Sequence, residues 1–310
     1  VTPLLLLDFV LGTVVLGLVA AMLWSGSRAR MTMLFIGFGG VVALIWMRLG
    51  APDVALAEAA VGAALTGALI LRAQASVPSP LLEPSRPWII RGLVAGLSVA
   101  VFGALAWALI SLDWKARPGL ERVVEARLPE SGVTNPVTAV LLNFRAYDTL
   151  LEMAVLLIAT AAVWCLGRSS ETPQLPPDDP LYLALLRPLV PLLCIVAGYL
   201  LWLGAFAPGG AFQAGAVLSG ALLLLLVAGL PRAPGQMDTL RLRATIAAAL
   251  LVFLGVAAAT AMSEATLLQY PPHRAKDLIL VIEAALTLSV AYTFLVLFQG
   301  GRPPPREVRA

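Results

Sequence analysis

Six carboxylates stand in three pairs at the heads of apolar runs: Asp53 with Glu58, Asp148 with Glu152, and Asp277 with Glu283. In each pair the glutamate follows the aspartate by four to six residues, which on a helix puts it roughly 6–9 Å deeper. A carboxylate inside a membrane-spanning helix costs about 2.5–3.5 kcal/mol on insertion scales, so it must face protein, water or a partner charge. The chemistry such pairs suit is ion passage. An aspartate at the helix head collects a proton or a sodium ion at the surface, and the deeper glutamate passes it inward.

The most crowded of these stretches is Asn135 to Trp164, NPVTAVLLNFRAYDTLLEMAVLLIATAAVW. Arg145, Asp148 and Glu152 fall at i, i+3 and i+7, so on a helix they share one face. Arg145 is the expected charge partner of Asp148 near the membrane surface, and no further charge follows Glu152 before Trp164. In LGAPDVALAEAAVGAALTGALILR, Leu49 to Arg72, Pro52 and Asp53 suit a first helical turn. The small residues around Glu58, from Ala55 to Ala64, predict tight packing that turns its carboxylate toward neighbouring helices. A glutamate that only pins two helices together would leave the same pattern, and both readings stand at this point.

The elements that must position these groups are helices in a bilayer. The 310 residues are 60% hydrophobic and 13% charged, with a mean hydropathy of +0.91, which places the chain outside the soluble globular range. Apolar runs near 20 residues, long enough to cross about 30 Å of hydrocarbon, recur along it. The expected fold is all-α, a polytopic bundle of about nine transmembrane helices. The first run, Pro3 to Trp24, lacks a basic start and a cleavage pattern and reads as a retained membrane helix rather than a signal peptide. Gly37, Gly39 and Gly40 in the second helix predict close helix approach. The fifth helix is the acidic Asn135–Trp164 stretch, with a bend or an interfacial position expected over Asn135–Phe144. Pro188 and Pro191 predict a kink in the sixth. The seventh opens at Pro208, where Gly209, Gly210 and Gly215 allow another backbone close; a helix N-terminus stripped of side chains there would also suit an anion or water.

Several function classes are excluded. Cys165 and Cys194 are too few for a cluster and read as small buried hydrophobes, and the only histidine, His273, stands in a Pro-Pro-His-Arg loop. No metal-ligand spacing, phosphate loop or dinucleotide fingerprint occurs, so neither a cofactor nor enzymatic catalysis is expected. A net charge of +3 carried in loops speaks of membrane topology, not of nucleic acid. Counting nine crossings, one membrane face receives most of the arginines, from Arg28 and Arg30 through Arg241 and Arg243 to Arg309. The other receives fewer basic residues, half of them (Lys115, Arg117, Arg122, Arg127) in an acid-balanced surface segment. The positive-inside rule then predicts an outside N-terminus, a cytoplasmic C-terminus and three acidic helix heads facing outward.

Three stretches resemble a known family. LGAPDVALAEAAVGAALT (Leu49–Thr66) resembles the MbhD-like module of membrane-bound hydrogenases and of the large Mrp antiporter subunit. TNPVTAVLLNFRAYDTLLEMAVLLIA (Thr134–Ala159) resembles the MbhE-like module, with Ala146 where the family's FRG string has glycine. PGGAFQAGAV (Pro208–Val217) resembles the PGGGFQGG motif of the MnhB/MrpB module, with Ala211 and Ala214 replacing glycines. The resemblance implies modules over residues 1–80, 81–172 and 173–310. It also implies a small membrane subunit of an Mrp-like ion-translocating complex in a bacterial or archaeal cytoplasmic membrane. Partners would be large antiporter-like subunits and a small K-subunit-like one, with H⁺ and Na⁺ as the ions. Glu58, Asp148 and Glu152 match the acids of the family motifs, whereas Glu283 and its neighbour Asp277 rest on the residue pattern alone. The rival reading is a scaffold subunit whose glutamates only fix helix contacts, and a lone carrier is a further alternative. One chain offers few relay groups, so a complete path requires partner subunits.

Overall fold

The computed structural model describes residues 3–76, 87–112, 119–166, 180–229, 239–264 and 266–300. The proline-rich stretches Ser76–Pro87 and Arg168–Pro180, which the sequence marks as connectors, lie outside the described residues except at their ends. Every regular element among the described residues is helical. Among the described residues, eight helices are long and apolar enough to cross a bilayer. They are α1 (Pro3–Leu23), α2 (Arg28–Arg48), α3 (Pro52–Gln74) and α4 (Trp88–Ser111), and, beyond a short surface helix α5 (Glu121–Arg127) and a half-helix α6 (Pro136–Ala139), α7 (Ala146–Cys165) and α8 (Pro180–Leu203). A shorter α9 (Ala211–Val227) is followed by the last two, α10 (Thr239–Glu264) and α11 (Ala275–Gln299).

The seventh helix, expected to open at Pro208, starts three residues later, at Ala211, and has 17 residues, about 25 Å at the α-helical rise and at the short end of the membrane-spanning range. Residues 204–210 are spent on a tight turn instead. Gly210 there has φ +108°, a conformation that residues with a side chain rarely adopt. The bend expected over Asn135–Phe144 takes the form of a break that leaves the Asn135–Trp164 stretch as two pieces. α6 runs into a π-helical segment, Val140–Phe144, and the chain breaks at Arg145 (φ −129°, ψ 37°) before α7 begins. α3 is also π-wound in its middle, over Glu58–Leu65. α8 continues through both of its prolines.

The chain divides into two compact units. Residues 77–126 form one, dominated by α4, whose apolar side chains such as Phe102 (74% exposed) have lipid as their natural surroundings. The other unit holds residues 1–76 and 127–310. In it α1 and α2 are tied by an Asp8–Arg48 ion pair at 2.9 Å. Among the second helix's glycines only Gly39 meets a neighbour: a Cβ there would lie 2.8 Å from Ala63, while Gly37 and Gly40 face open space. The core lies around α9 and α11, which run side by side; a Cβ added at Gly215 would lie 2.8 Å from Val290. Phe253 of α10, Ile279, Ile282 and Leu286 of α11, and Ala139 and Ala146 beside them form one buried apolar cluster. The loop between α10 and α11 folds inward as well, and burial pushes the Tyr270 phenol above its ordinary pKa.

Candidate functional site

At one end of the larger unit, the first turn of α3, the segment leading into α6, and the α8–α9 turn interlock. Asp53 is the knot. Its Oδ1 accepts from the Asn135 side-chain amide (3.3 Å) and from the backbone N–H of Gly209 (3.2 Å), while Gln213 Nε2 donates to the Asp53 carbonyl (3.3 Å). Asn135 Nδ2 also donates to the Ala207 carbonyl (2.9 Å), and the Thr138 hydroxyl donates to the Gly204 carbonyl (2.6 Å). Asn135, Thr138 and Gln213 are all buried. Unpaired polar groups at such depth would cost roughly 1–3 kcal/mol each, so these mutual bonds hold the segments in register.

Glu283 completes the arrangement from α11. It is 2% exposed and sits six residues beyond Asp277. Its carboxylate lies toward the backbone of Ala211, the first residue of α9. That helix end carries a partial positive charge and unsatisfied N–H groups. The glycines of the turn make room for it: a Cβ at Gly210 would lie 3.2 Å from Glu283 Oε1, and one at Gly204 would lie 3.3 Å from the same oxygen. Close approach and anion accommodation are therefore both served by the same turn. The second oxygen, Oε2, is buried with no protein partner.

A cavity of about 340 Å³ lies beside Glu283, and its walls also include Asp53, Thr138, Thr149, Glu152 and Gln213. Glu152 projects from the second turn of α7, which is fixed against the preceding segment by a Thr149 hydroxyl donating to the Leu141 carbonyl (2.6 Å). Of the residues singled out in the sequence, Asp53, Glu152, Glu283, Gly209 and Gly210 are thus brought together. The others are not. Glu58 is half-buried, with its carboxylate lying along its own helix over Gly62, one turn on, and it does not line the cavity. Asp148 is exposed and paired with Arg145 at 2.6 Å, as its spacing predicts; Asp277 is exposed, and Gly215 serves packing against α11. Cys165 and Cys194, expected to be buried, are both exposed, because each sits on an apolar helix face that no other helix covers. Sequence reasoning missed Asn135, Thr138, Gln213 and Gly204. Their only signal was a polar or missing side chain within an apolar run.

Asp53, Glu152 and Glu283 thus line one cavity whose other walls are largely apolar. A carboxyl group as buried as Glu283 either takes up a proton or faces a positive charge. Among the described residues no group of three His, Cys, Asp or Glu side chains stands close enough to hold a metal ion.

Three families match the chain in sequence: MbhD, the D subunit of MBH, over residues 13–79; MbhE, the E subunit of MBH, over 89–174; and MnhB, a "Domain related to MnhB subunit of Na+/H+ antiporter", over 182–301. Among curated proteins, the chain is 28% identical over 238 residues to the A/B subunit of a probable K(+)/H(+) antiporter of Rhizobium meliloti, a match covering 65% of this chain and 24% of that one. It is 32% identical over 160 residues to an uncharacterized protein of Methanocaldococcus jannaschii, covering 44% of this chain and 59% of that one. The chain therefore spans a quarter to somewhat over half of the length of the curated relatives it matches. A solved Mrp complex from a Dietzia species contains a chain of the same fold, with TM-score 0.76 and 24% identity over 96% of this chain and 35% of that one. A chain of an archaeal membrane-bound sulfane sulfur reductase matches with TM-score 0.55 and 21% identity, covering 68% of this chain and 97% of its own length.

Proposed function

The chain joins MbhD-like, MbhE-like and MnhB-like modules in one multi-pass membrane polypeptide related to the Mrp antiporter and membrane-bound hydrogenase complexes, and we propose that it forms part of a proton or sodium route in such a complex. It is a small non-catalytic subunit in this reading, lying beside larger antiporter-like subunits and a K-subunit-like one. The observation that carries the reading is the cavity in which all three matched modules place a carboxylate: Asp53 from the first, Glu152 from the second and Glu283 from the third. Glu283 and Glu152 are the groups assigned to the ion. Asp53 keeps the walls together, since its Oδ1 is committed to Asn135 and Gly209. A scaffold role is favoured for Asp148 by its exposed pairing with Arg145.

In the bacterial or archaeal inner membrane, the N-terminus would lie outside and the C-terminus in the cytoplasm, so that the carboxylate end opens outward. The arginines of the opposite helix ends support that orientation through the positive-inside rule. Cation/proton exchange in vesicles bearing the complete complex tests the route, with Glu152→Gln and Glu283→Gln compared against wild type and assembly followed by native gel. Exchange lost from an intact complex is the expected result. Wild-type exchange in both variants would overturn the route and leave the chain with a scaffold role.

A further inference from the structure

The surroundings of Glu283 narrow the choice of ion. Its buried carboxyl needs a proton or a cation, and its neighbours in this chain supply no cation. Among the described residues, the walls of the cavity hold no lysine, arginine or histidine. The acids that share those walls are Asp53 of α3 and Glu152 of α7. α9, whose first residue lies toward Glu283, is uncharged from end to end. On α11 itself the nearest cation is Lys276, seven residues earlier, and its Nζ sits 4.8 Å from the centroid of the Phe206 ring. Arg145, ahead of α7, is bound to Asp148 at 2.6 Å. Arg187, the one charged residue of α8, stands sixteen residues before Leu203, about 24 Å along the helix. α10 carries Arg241 and Arg243 near its start and Glu264 as its last residue. The loop after it adds only the buried Tyr270 phenol to the cluster that holds Ile282.

A metal ion is poorly served here. Hard cations gather about six or more oxygen ligands. The oxygens of the α8–α9 turn already accept hydrogen bonds. The Gly204 carbonyl accepts from Thr138, the Ala207 carbonyl from Asn135, and the Ala205 carbonyl from the N–H groups of Thr134 and Asn135. Asp53 Oδ1 is spent in the same way on Asn135 and Gly209. What stands near Glu283 is the N-terminal end of α9, whose first amides have no acceptor within the helix and carry partial positive charge. That end repels a metal cation and tolerates an ionised carboxylate. A proton sits on the carboxyl itself and needs no cage. We propose that Glu283 binds a proton and that the cavity takes up neither Na⁺ nor K⁺, so that the route proposed above, on which this inference rests, is here a proton route. Glu152 exchanges the proton with Glu283 through water, for which about 340 Å³ leaves room. One carboxyl loses the proton as the other gains it, and the charge of the cavity is unchanged.

Infrared difference spectra of the complete complex, recorded across pH with Na⁺, K⁺ or choline as the added cation, test this. Wild type should show a protonated-carboxyl band that disappears as pH rises. The band should be absent from Glu283→Gln and kept in Glu152→Gln. Glu283→Asp, which retains a carboxyl, should move the band rather than remove it, and assigns it should Glu283→Gln fail to assemble. The midpoint should be the same in all three cations. A metal ion competing for the carboxylate would lower the midpoint by about one pH unit per tenfold rise in its concentration, and that shift would overturn the proposal. A carboxylate that stays ionised throughout, with no such band, would overturn it too. The route and its ion fail separately. Wild-type exchange by Glu283→Gln beside a cation-independent band would remove the route and leave the proton on Glu283. Exchange lost from that variant beside a Na⁺-dependent midpoint would keep the route and assign it to sodium.

Discussion

α1 and α11 are equally membrane-like by composition and opposite in role. Their mean hydropathies are 2.5 and 2.1, yet none of α1's span is buried within the chain and 67% of α11's is. In water the more apolar helix would be expected inside. Lipid removes that driving force, because an acyl chain solvates leucine as well as another helix does. What distinguishes α11 is its polar and small content: Glu283, Thr287, Ser289 and Thr293 are all buried, and Gly215 of α9 lets its backbone close. In α1 the large exposed side chains are leucine, valine and phenylalanine. Within this bilayer fold the buried face is marked by polar and small residues, and hydropathy reports only that a helix spans.

Substitutions can break that contrast, and the largest effect is expected at the turn serving α11. Gly210→Leu forces a side chain into a left-handed backbone and against the Glu283 carboxylate, and no assembled protein should be recovered on a native gel. Next comes Glu283→Gln, which should leave thermal stability in detergent near wild type while abolishing most cation exchange, separating the role of the charge from that of the packing. Gly215→Leu places a side chain into Val290 and should lower stability by about 1–3 kcal/mol, read as an earlier thermal transition. Asp53→Ala leaves the Gly209 N–H without its acceptor and the Asn135 amide with the Ala207 carbonyl alone, for a loss of about 1–3 kcal/mol; Asp53→Asn should restore most of it if Asp53 acts as a tie rather than a carrier. At the other extreme, Phe102→Ala on α4 should change stability by no more than about 0.5 kcal/mol. A large loss there would show that α4 is as much a core helix as α11.

The spans were legible because apolar runs of membrane length have few alternatives in this composition. The acidic pattern also led to Glu283, since only a protein-facing helix surface tolerates a glutamate two turns inside a span. Glu58, from the same pattern, lies over Gly62 on its own helix and outside the cavity. The short α9 was hidden because the run Pro208–Leu230 is apolar but for Gln213 and Ser219, and nothing in hydropathy separates a turn built on Gly204, Gly209 and Gly210 from a first helical turn. The cavity itself was not legible. Its decisive bonds join Asp53 to Asn135 and to Gly209, residues 82 and 156 positions apart in sequence, and local spacing carries no information about such pairings.

The π-wound middle of α3 fixes the rotational phase between its two ends. Each wide turn takes in an extra residue, seen in the Thr66 hydroxyl reaching back five residues to the Val61 carbonyl at 2.7 Å. Asp53 lies on one side of that segment, and Gly67, which seats Ile36, and Gln74, which holds Thr32, lie on the other. Removing a residue from one of the wide turns between 58 and 65 would let that turn close to an α-helical one with its ends still in phase, whereas removing one from an α-wound part of α3 would turn everything beyond it by about 100° relative to Asp53. In that second case the helix would still span, but the two ends could not engage their partners at once. In this protein the length of α3 is therefore an angular setting as well as a distance.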